Sequence, residues 1–282
     1  MANLDAVRER SSKRLKVNLR SVSLLEFITQ EREHLITLGL VAGFLLIWEL
    51  LARLGKISPI IFPAPSLILR TFVDSFINGE FTKDLFISLT RIFSGVLVGG
   101  GAGLVMGLIM GWSRTTRKIL DPIVAALHPI PKFALLPMVL IIVGLGESSR
   151  TVMVSIGAFF PMLVNTMTGV LQINPTYYEV VQNYGATKFD IFRKVVLPGS
   201  LPYVMTGARL SIKSAMTITI GVEMVFGNTG LGSILWLAWE TMRLVYMYAA
   251  LLIVSIIGLG SVLLLDALKK MLIPWHHENR PA

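Results

Sequence analysis

Six apolar stretches, each long enough to cross a bilayer as a helix, constrain this chain more than anything else in it. A helical span needs roughly 20 mostly apolar residues to traverse the hydrocarbon core. The stretches run Ile36 to Leu54, Leu85 to Met110, Ile123 to Leu145, Ser149 to Leu171, Val204 to Phe226 and Met247 to Leu268. Of the 282 residues, 54% are hydrophobic and only 15% are charged, whereas an ordinary soluble domain carries about 25% charged residues. One globular core cannot absorb that apolar excess. The expected fold class is therefore all-α integral membrane. Residues 1–35 form a polar N-terminal segment, 36–268 a six-helix transmembrane domain and 269–282 a tail. Ser23-Leu-Leu-Glu26 has capping-box spacing and is expected to start a short helix before the first span. No small-residue cleavage site follows the first apolar run, so that run is expected to stay as a membrane anchor.

Charge placement gives an orientation. A net charge of +9 would suggest nucleic acid in a soluble protein. Here, with the N-terminus inside, segments 1–35, 111–121, 172–203 and 269–282 hold sixteen Lys and Arg. The opposite side holds six: Arg53, Lys56, Arg70, Lys83, Arg150 and Arg243. The positive-inside rule then puts both termini in the cytoplasm. The basic surplus reports topology and contact with membrane lipid, and no nucleic-acid partner is expected. Cysteine is absent, which removes a disulfide framework, a thiolate metal site and a cysteine nucleophile together. The histidines, His34, His128, His276 and His277, include no HExxH pair. His276-His277 reads as part of a solvated tail, so no metal site is expected.

Within the spans, glycine and proline mark special positions. Gly95, Gly99, Gly103, Gly107 and Gly111 recur every fourth residue, on nearly one face of the second span. Such a ladder lets another backbone approach closely, either for static packing within the subunit or as a sliding face. Pro129, Pro131 and Pro137 interrupt the third span. Each removes a backbone donor, and a broken helix at membrane depth must be buried in protein or line a cavity. HPIPKFALLP therefore reads as a wall of a translocation path or as a kinked packing helix. Charged groups in spans default to functional hypotheses, which adds Lys132, Arg209, Lys213 and Glu223 to the path candidates. Arg209 and Lys213 share a face and could attract an anion. Alternatively Arg209 snorkels to the interface and Lys213 pairs within the bundle. Outside the spans, Ser58 to Pro65 reads as an external proline-rich loop, followed by an interfacial amphipathic helix from Ser66 to Ile77.

The connection from Asn174 to Pro202, NPTYYEVVQNYGATKFDIFRKVVLPGSLP, is the most telling segment. Asn174-Pro175 is an N-cap with proline at the first helical position. A short helix is expected to end at Gly185. Thr187-Lys-Phe-Asp190 restarts one with capping-box spacing. Phe189, Phe192, Val195 and Val196 are expected to share its apolar face, and Leu197-Pro198 to end it. Such a helix, turn and helix either docks a partner or rests on the membrane surface.

This segment resembles the cytoplasmic signature of binding-protein-dependent ABC importer permeases. That signature is a Glu, two small residues, a Gly, an apolar position and Leu-Pro, matched by Glu179, Gly185, Ile191, Leu197 and Pro198. Val180 and Val181 depart from the usual alanines and make the contact bulkier. SLTRIFSGVLVGGGAGLVMGLIMGWS, LDPIVAALHPIPKFALLP, VGLGESSR, GAFFPMLVNTMTGV, LPGSLPYVMTGARL and EMVFGNTGLGSILW look like the sulfonate, taurine and nitrate branch. The resemblance implies six transmembrane helices of the type I importer kind, with a cytoplasmic coupling-helix loop. It implies a second copy of the chain, two cytoplasmic ATPase subunits and an extracytoplasmic substrate-binding protein in a bacterial inner membrane. Glu179, Gly185, the adjoining Ala186, Ile191, Leu197 and Pro198 would then couple the chain to the ATPase. The chain itself has no GxxxxGK[ST] phosphate loop. It is expected to be non-catalytic and to hold no cofactor, with ATP and magnesium in the partner. A small anionic organic solute, sulfonate- or taurine-like, is the expected cargo. Nitrate, bicarbonate, an aromatic acid or a vitamin precursor are alternatives, and His128 to Pro137 lacks the Ser-Pro-Leu-Ala-Trp pattern associated with nitrate and bicarbonate. An ion-coupled secondary transporter would need inverted repeats and intramembrane carboxylates. No repeat is visible, and only Glu49 and Glu223 lie clearly inside spans.

Overall fold

A computed structural model describes residues 35–273. The expected helix at Ser23–Glu26, the His276-His277 pair and most of both terminal segments lie outside that range. The chain divides into two compact units, Met1–Ile68 and Leu69–Ala282.

In the first unit, helix α1 spans Leu35–Arg53 and ends where Gly55 takes a left-handed φ of 67°. Leu, Val, Ile and Phe side chains are exposed along its length, as suits a helix in contact with lipid. Glu49 is the one acidic residue of α1. It takes hydrogen bonds from the Ser66 backbone N–H at 3.0 Å and hydroxyl at 2.7 Å, and from Arg53 Nε at 2.5 Å. The carboxylate thereby caps the first turn of helix α2, Pro65–Ile77, where free N–H groups favour an anion.

The second unit is all helix between its turns. Helix α3 runs Thr82–Trp112 and passes through a π-helical turn at Val96–Gly100. Ser113 caps α4, Arg114–Leu127, by accepting the Thr116 N–H. Helix α5, Lys132–Val143, leaves α4 at 92°. The break falls at His128-Pro-Ile-Pro131, where two prolines withhold backbone donors. The expected third span is thus two short helices at a right angle.

Helix α6, Glu147–Leu171, lies at the centre. Met153, Val154 and Ala158 pack there with Ile92 of α3, Leu136 and Val139 of α5, and Ala215, Ile218 and Val222 of the long helix that follows the loop. The glycine ladder meets α6 along its length. A Cβ at Gly99 would strike the Ser155 carbonyl, one at Gly103 the Phe159 carbonyl, and one at Gly107 would stand 2.6 Å from the Leu163 carbonyl. Gly95 and Gly111 face Val154 and Val170 in the same way. The ladder is a close helix–helix seam inside the subunit.

Past the loop helix α7, Pro175–Asn183, helix α8 is continuous from Lys188 to Phe226. This corrects the expectation that Leu197-Pro198 ends the loop's second helix. A π-helical turn at Phe192–Val196 immediately precedes Pro198, and its wider ring accommodates the missing donor without ending the helix. A π turn also puts the residues before and after it out of step by roughly 100°. Val195 and Val196 are buried, whereas Phe189 is 69% exposed, so the single apolar face expected there is split. Helix α8 ends at Gly227 in the left-handed region, φ 65°. A ten-residue helix α9, Leu231–Glu240, follows, and α10, Leu244–Leu272, is the last described element. Phe81, Leu231, Leu235, Ala249, Ala250 and Ile253 form a second core among α3, α9 and α10.

Candidate functional site

The loop between α6 and α8 is built for presentation. Asn174 Oδ1 accepts the Thr176 N–H at 3.0 Å, and Pro175 opens α7. No residue of α7 is buried. Gly185 turns the chain at φ 75°, a conformation that costs a β-carbon residue dearly. Thr187 and Asp190 form both halves of a capping box, Thr187 Oγ1 accepting the Asp190 N–H at 3.2 Å and Asp190 Oδ2 accepting the Thr187 N–H at 3.1 Å. The Thr187 hydroxyl and N–H, with Lys194 nearby, hold the Asp190 carboxyl below the usual aspartate range. Tyr177, Val180, Phe189 and, at 89% exposure, Tyr184 stand in the open with Glu179. Ile191 is buried at the root of the loop, Ala186 and Pro198 are half-buried and Leu197 is exposed. Phe192 meets Trp112 edge-on at the end of α3, which joins the loop to the helical bundle.

The path candidates separate into three environments. Lys132 Nζ donates to the carbonyls of His128 at 2.6 Å, Ile130 at 2.9 Å and Leu127 at 3.4 Å, and lies 4.5 Å from the Phe160 ring centre. It thus repairs the carbonyls released by the α4–α5 break and meets the negative end of α4. Pro129 and Pro131 form that bend, and Pro137 sits in the first turn of the α-helical part of α5. Arg209 is paired with Asp266 of α10. Lys213 is exposed on α8 and lines, with Lys132 and Pro131, a cavity of about 620 Å³ beneath the bend.

Glu223 belongs elsewhere. It is 1% exposed and lines none of the described cavities that hold Lys132, Arg209 or Lys213. Its carboxylate accepts from Ser88 Oγ at 2.8 Å, Arg91 Nη1 at 2.8 Å and the Gly232 N–H at 2.9 Å. Arg91, 4% exposed, also donates twice to Glu147, at 2.6 and 2.8 Å, and to Thr229. Arg150 completes the cluster at 2.5 Å from Glu147. The first N–H groups of α9 are met in turn: Gly230 by Asp84 at 2.6 Å, Leu231 by Ser88 at 2.9 Å, Gly232 by Glu223. A Cβ at Gly230 or Gly232 would collide with Glu223 or with the Ile220 carbonyl, so the glycines admit the close approach. This expected path residue is a buried clamp that seats α9 on α3 and α8.

Residues 99–276 match the family described as the inner membrane component of binding-protein-dependent transport systems. The chain belongs to that family. The taurine transport system permease protein TauC of Escherichia coli is 30% identical over 252 residues, covering 88% of this chain and 92% of that protein. The aliphatic sulfonates transport permease protein SsuC of Bacillus subtilis, named there as putative, is 29% identical over 84% of this chain and 86% of its own length. The nitrate import permease protein NrtB of a Synechocystis strain is 30% identical over 83% of this chain and 87% of its own length. In fold, the chain is similar to one from the inward-facing MetNI methionine ABC transporter, with a TM-score of 0.55 at 22% identity, over 67% of this chain and 96% of that one. This is a membrane-embedded permease subunit of an ABC importer.

Sequence reasoning about this permease missed the partners of Glu223. In the sequence Arg91 and Glu147 stand only within the SLTRIFSG and VGLGESSR stretches, and Arg150 only as an external charge. The contacts bridge 132 residues from Arg91 to Glu223 and 56 from Arg91 to Glu147, separations on which helical periodicity is silent. A usable signal existed in Arg91 itself, since a buried guanidinium needs a carboxylate.

Proposed function

We propose that two copies of this permease form a central path across a bacterial inner membrane, with both termini in the cytoplasm. Two cytoplasmic ATPase subunits power it, and an external binding protein delivers a small anionic organic solute of the sulfonate or taurine kind. The chain itself catalyses no reaction. The observation that carries the mechanism is the bare helix, glycine turn and capped helix between α6 and α8, with Tyr177, Val180, Tyr184 and Phe189 exposed around Glu179. Apolar and aromatic side chains held rigidly in the open supply docking energy, and Glu179 supplies a charge for register. Because α8 continues from the loop without a break, a displacement at the loop moves the whole helix. ATP-driven closure of the ATPases then rocks the subunits as rigid bodies. The names of the relatives and the basic character of the cavity under the bend favour an anionic cargo. The test is reconstitution with the cognate ATPase and binding protein in vesicles. The purified complex should contain two permease and two ATPase chains by mass, and import radiolabelled taurine only with ATP. An active permease monomer without ATPase overturns the reading.

A further inference from the structure

Lys213 is a charged group within a span that neither the packing nor the coupling loop uses. It stands near the middle of the helical stretch Leu197–Phe226, roughly 20 Å from either end at about 1.5 Å per residue. An ionised side chain at that depth is costly unless it meets a partner or a water-filled cavity. Its neighbours in charge are all committed: Arg209, one turn away, to Asp266, Lys132 to the carbonyls of the bend, and Arg91 to Glu223 and Glu147. Lys213 is exposed, and its backbone carbonyl accepts the Thr217 hydroxyl at 3.0 Å. Among the described residues no hydrogen bond or ion pair reaches its ammonium.

Lys213 instead lines two cavities. One, of about 620 Å³, lies between α8, α6 and the α4–α5 bend, and the other, of about 500 Å³, lies between α8 and α10. Both fall within the usual size for small-ligand sites. The first has mostly apolar walls with a few polar groups, among them His128, Asn165 and Ser214. No described lining residue of either cavity is acidic. A cavity of that size, with a free cation at mid-helix and no carboxylate to neutralise it, selects an anion. Asn165 spends one amide hydrogen on the Pro161 carbonyl at 2.8 Å and keeps the other.

We propose that Lys213 is the mid-membrane recognition point for the anionic group of the cargo, a sulfonate or a carboxylate, with His128 and Asn165 lining the same cavity. This rests on the importer reading above and adds a site within the membrane to it. A single flexible ammonium attracts an oxyanion without the bidentate grip of an arginine, which suits a site that must also release.

The absence of cysteine from the chain makes the test direct. The full complex, with its ATPase and binding protein, is reconstituted with K213Q and K213C permeases. Uptake of radiolabelled taurine, benzoate and nitrate is measured in parallel. On whichever anion the wild-type complex imports, both variants should lose at least tenfold in uptake. ATP hydrolysis stimulated by the binding protein should stay within about twofold of wild type, because the loop is untouched. Aminoethyl methanethiosulfonate, which puts an ammonium back at position 213, should restore K213C, whereas the sulfonatoethyl reagent should not. Wild-type uptake in K213Q, equal rescue by both reagents, or a thiol at 213 that does not react would each overturn the proposal. Import of benzoate without taurine would remove the sulfonate reading and leave Lys213 standing. A wild-type complex that imports none of the three anions would overturn both.

Discussion

At Glu223 one carboxylate answers three donors, and the physics of burial makes each of them consequential. Removing an ion from water costs several kcal/mol, repaid here by an arginine, a hydroxyl and a helix N–H in good geometry. Taking away one partner leaves the others unsatisfied rather than neutral. E223L should therefore destabilise the permease by about 3–5 kcal/mol, whereas S88A, which leaves the Arg91 pair intact, should cost about 1–3 kcal/mol. Thermal melting of the detergent-purified complex checks both, and equal melting of E223L and wild type would remove the clamp. Sequence reading alone leaves the role of this residue undecided for a physical reason. It correctly treated an intramembrane glutamate as costly, and such a cost can be met by a water-filled path or by internal partners. Only the packing of α3 against α8 and α9 decides between them. Lys132 carries the same lesson, because its ammonium is absorbed by carbonyls that exist as acceptors only once the chain has bent.

At the scale of elements, the glycine ladder makes a sharp prediction because neighbouring glycines differ. G103V would drive a side chain into the Phe159 carbonyl of α6, while Gly101, with nothing within 4 Å of its virtual Cβ, should accept alanine. G103V is expected to abolish assembly of the complex and G101A to leave it unchanged, as read by the yield of monodisperse protein. Equal behaviour of the two would mean that the seam is not a close contact. In the loop, G185V must force φ 75° on a β-branched residue, at a cost of order 1–3 kcal/mol, and E179R reverses the charge at the docking surface. Both variants should insert normally yet lose ATP hydrolysis stimulated by the loaded binding protein. If both keep wild-type stimulation and uptake, this loop is not the lever. The helix starts here were legible, since Asn174-Pro175 and Thr187–Asp190 are local chemistry. The continuity of α8 was not, because a π turn that lets Leu197-Pro198 pass has no signature in residue spacing. Helix α9 was also unread. Its ten residues are too few to register as a span, and its start is fixed by Asp84, Ser88 and Glu223 from distant parts of the chain.

For the whole molecule the open question is how many times the chain crosses the bilayer, and the right-angle bend at His128–Pro131 sharpens it. Four helices are long and apolar enough to cross alone, and the pairs α4 with α5 and α8 with α9 bring the number up to six. If α4 and α5 together make one crossing, Arg114, Arg117 and Lys118 share a side with Lys188, Arg193 and Lys194. If instead they dip in and return, every later connection changes side, and the Lys188–Lys194 cluster is carried outside. The charge bias favours one parity. Lys and Arg near span ends are retained in the cytoplasm, and the re-entrant arrangement would place the basic loop of α7 and α8 against that bias. Lys132 supports a crossing too, because it satisfies the carbonyls at the corner and so lets a bent span persist within protein at membrane depth. Reporter fusions at Asn78 and Gly144 should therefore read as external, and a fusion at Asn174 as cytoplasmic. A cytoplasmic Gly144 with an external Asn174 would make the α4–α5 corner re-entrant. It would also place the exposed loop of α7 and α8 out of reach of any cytoplasmic ATPase, and the coupling mechanism would fall with it.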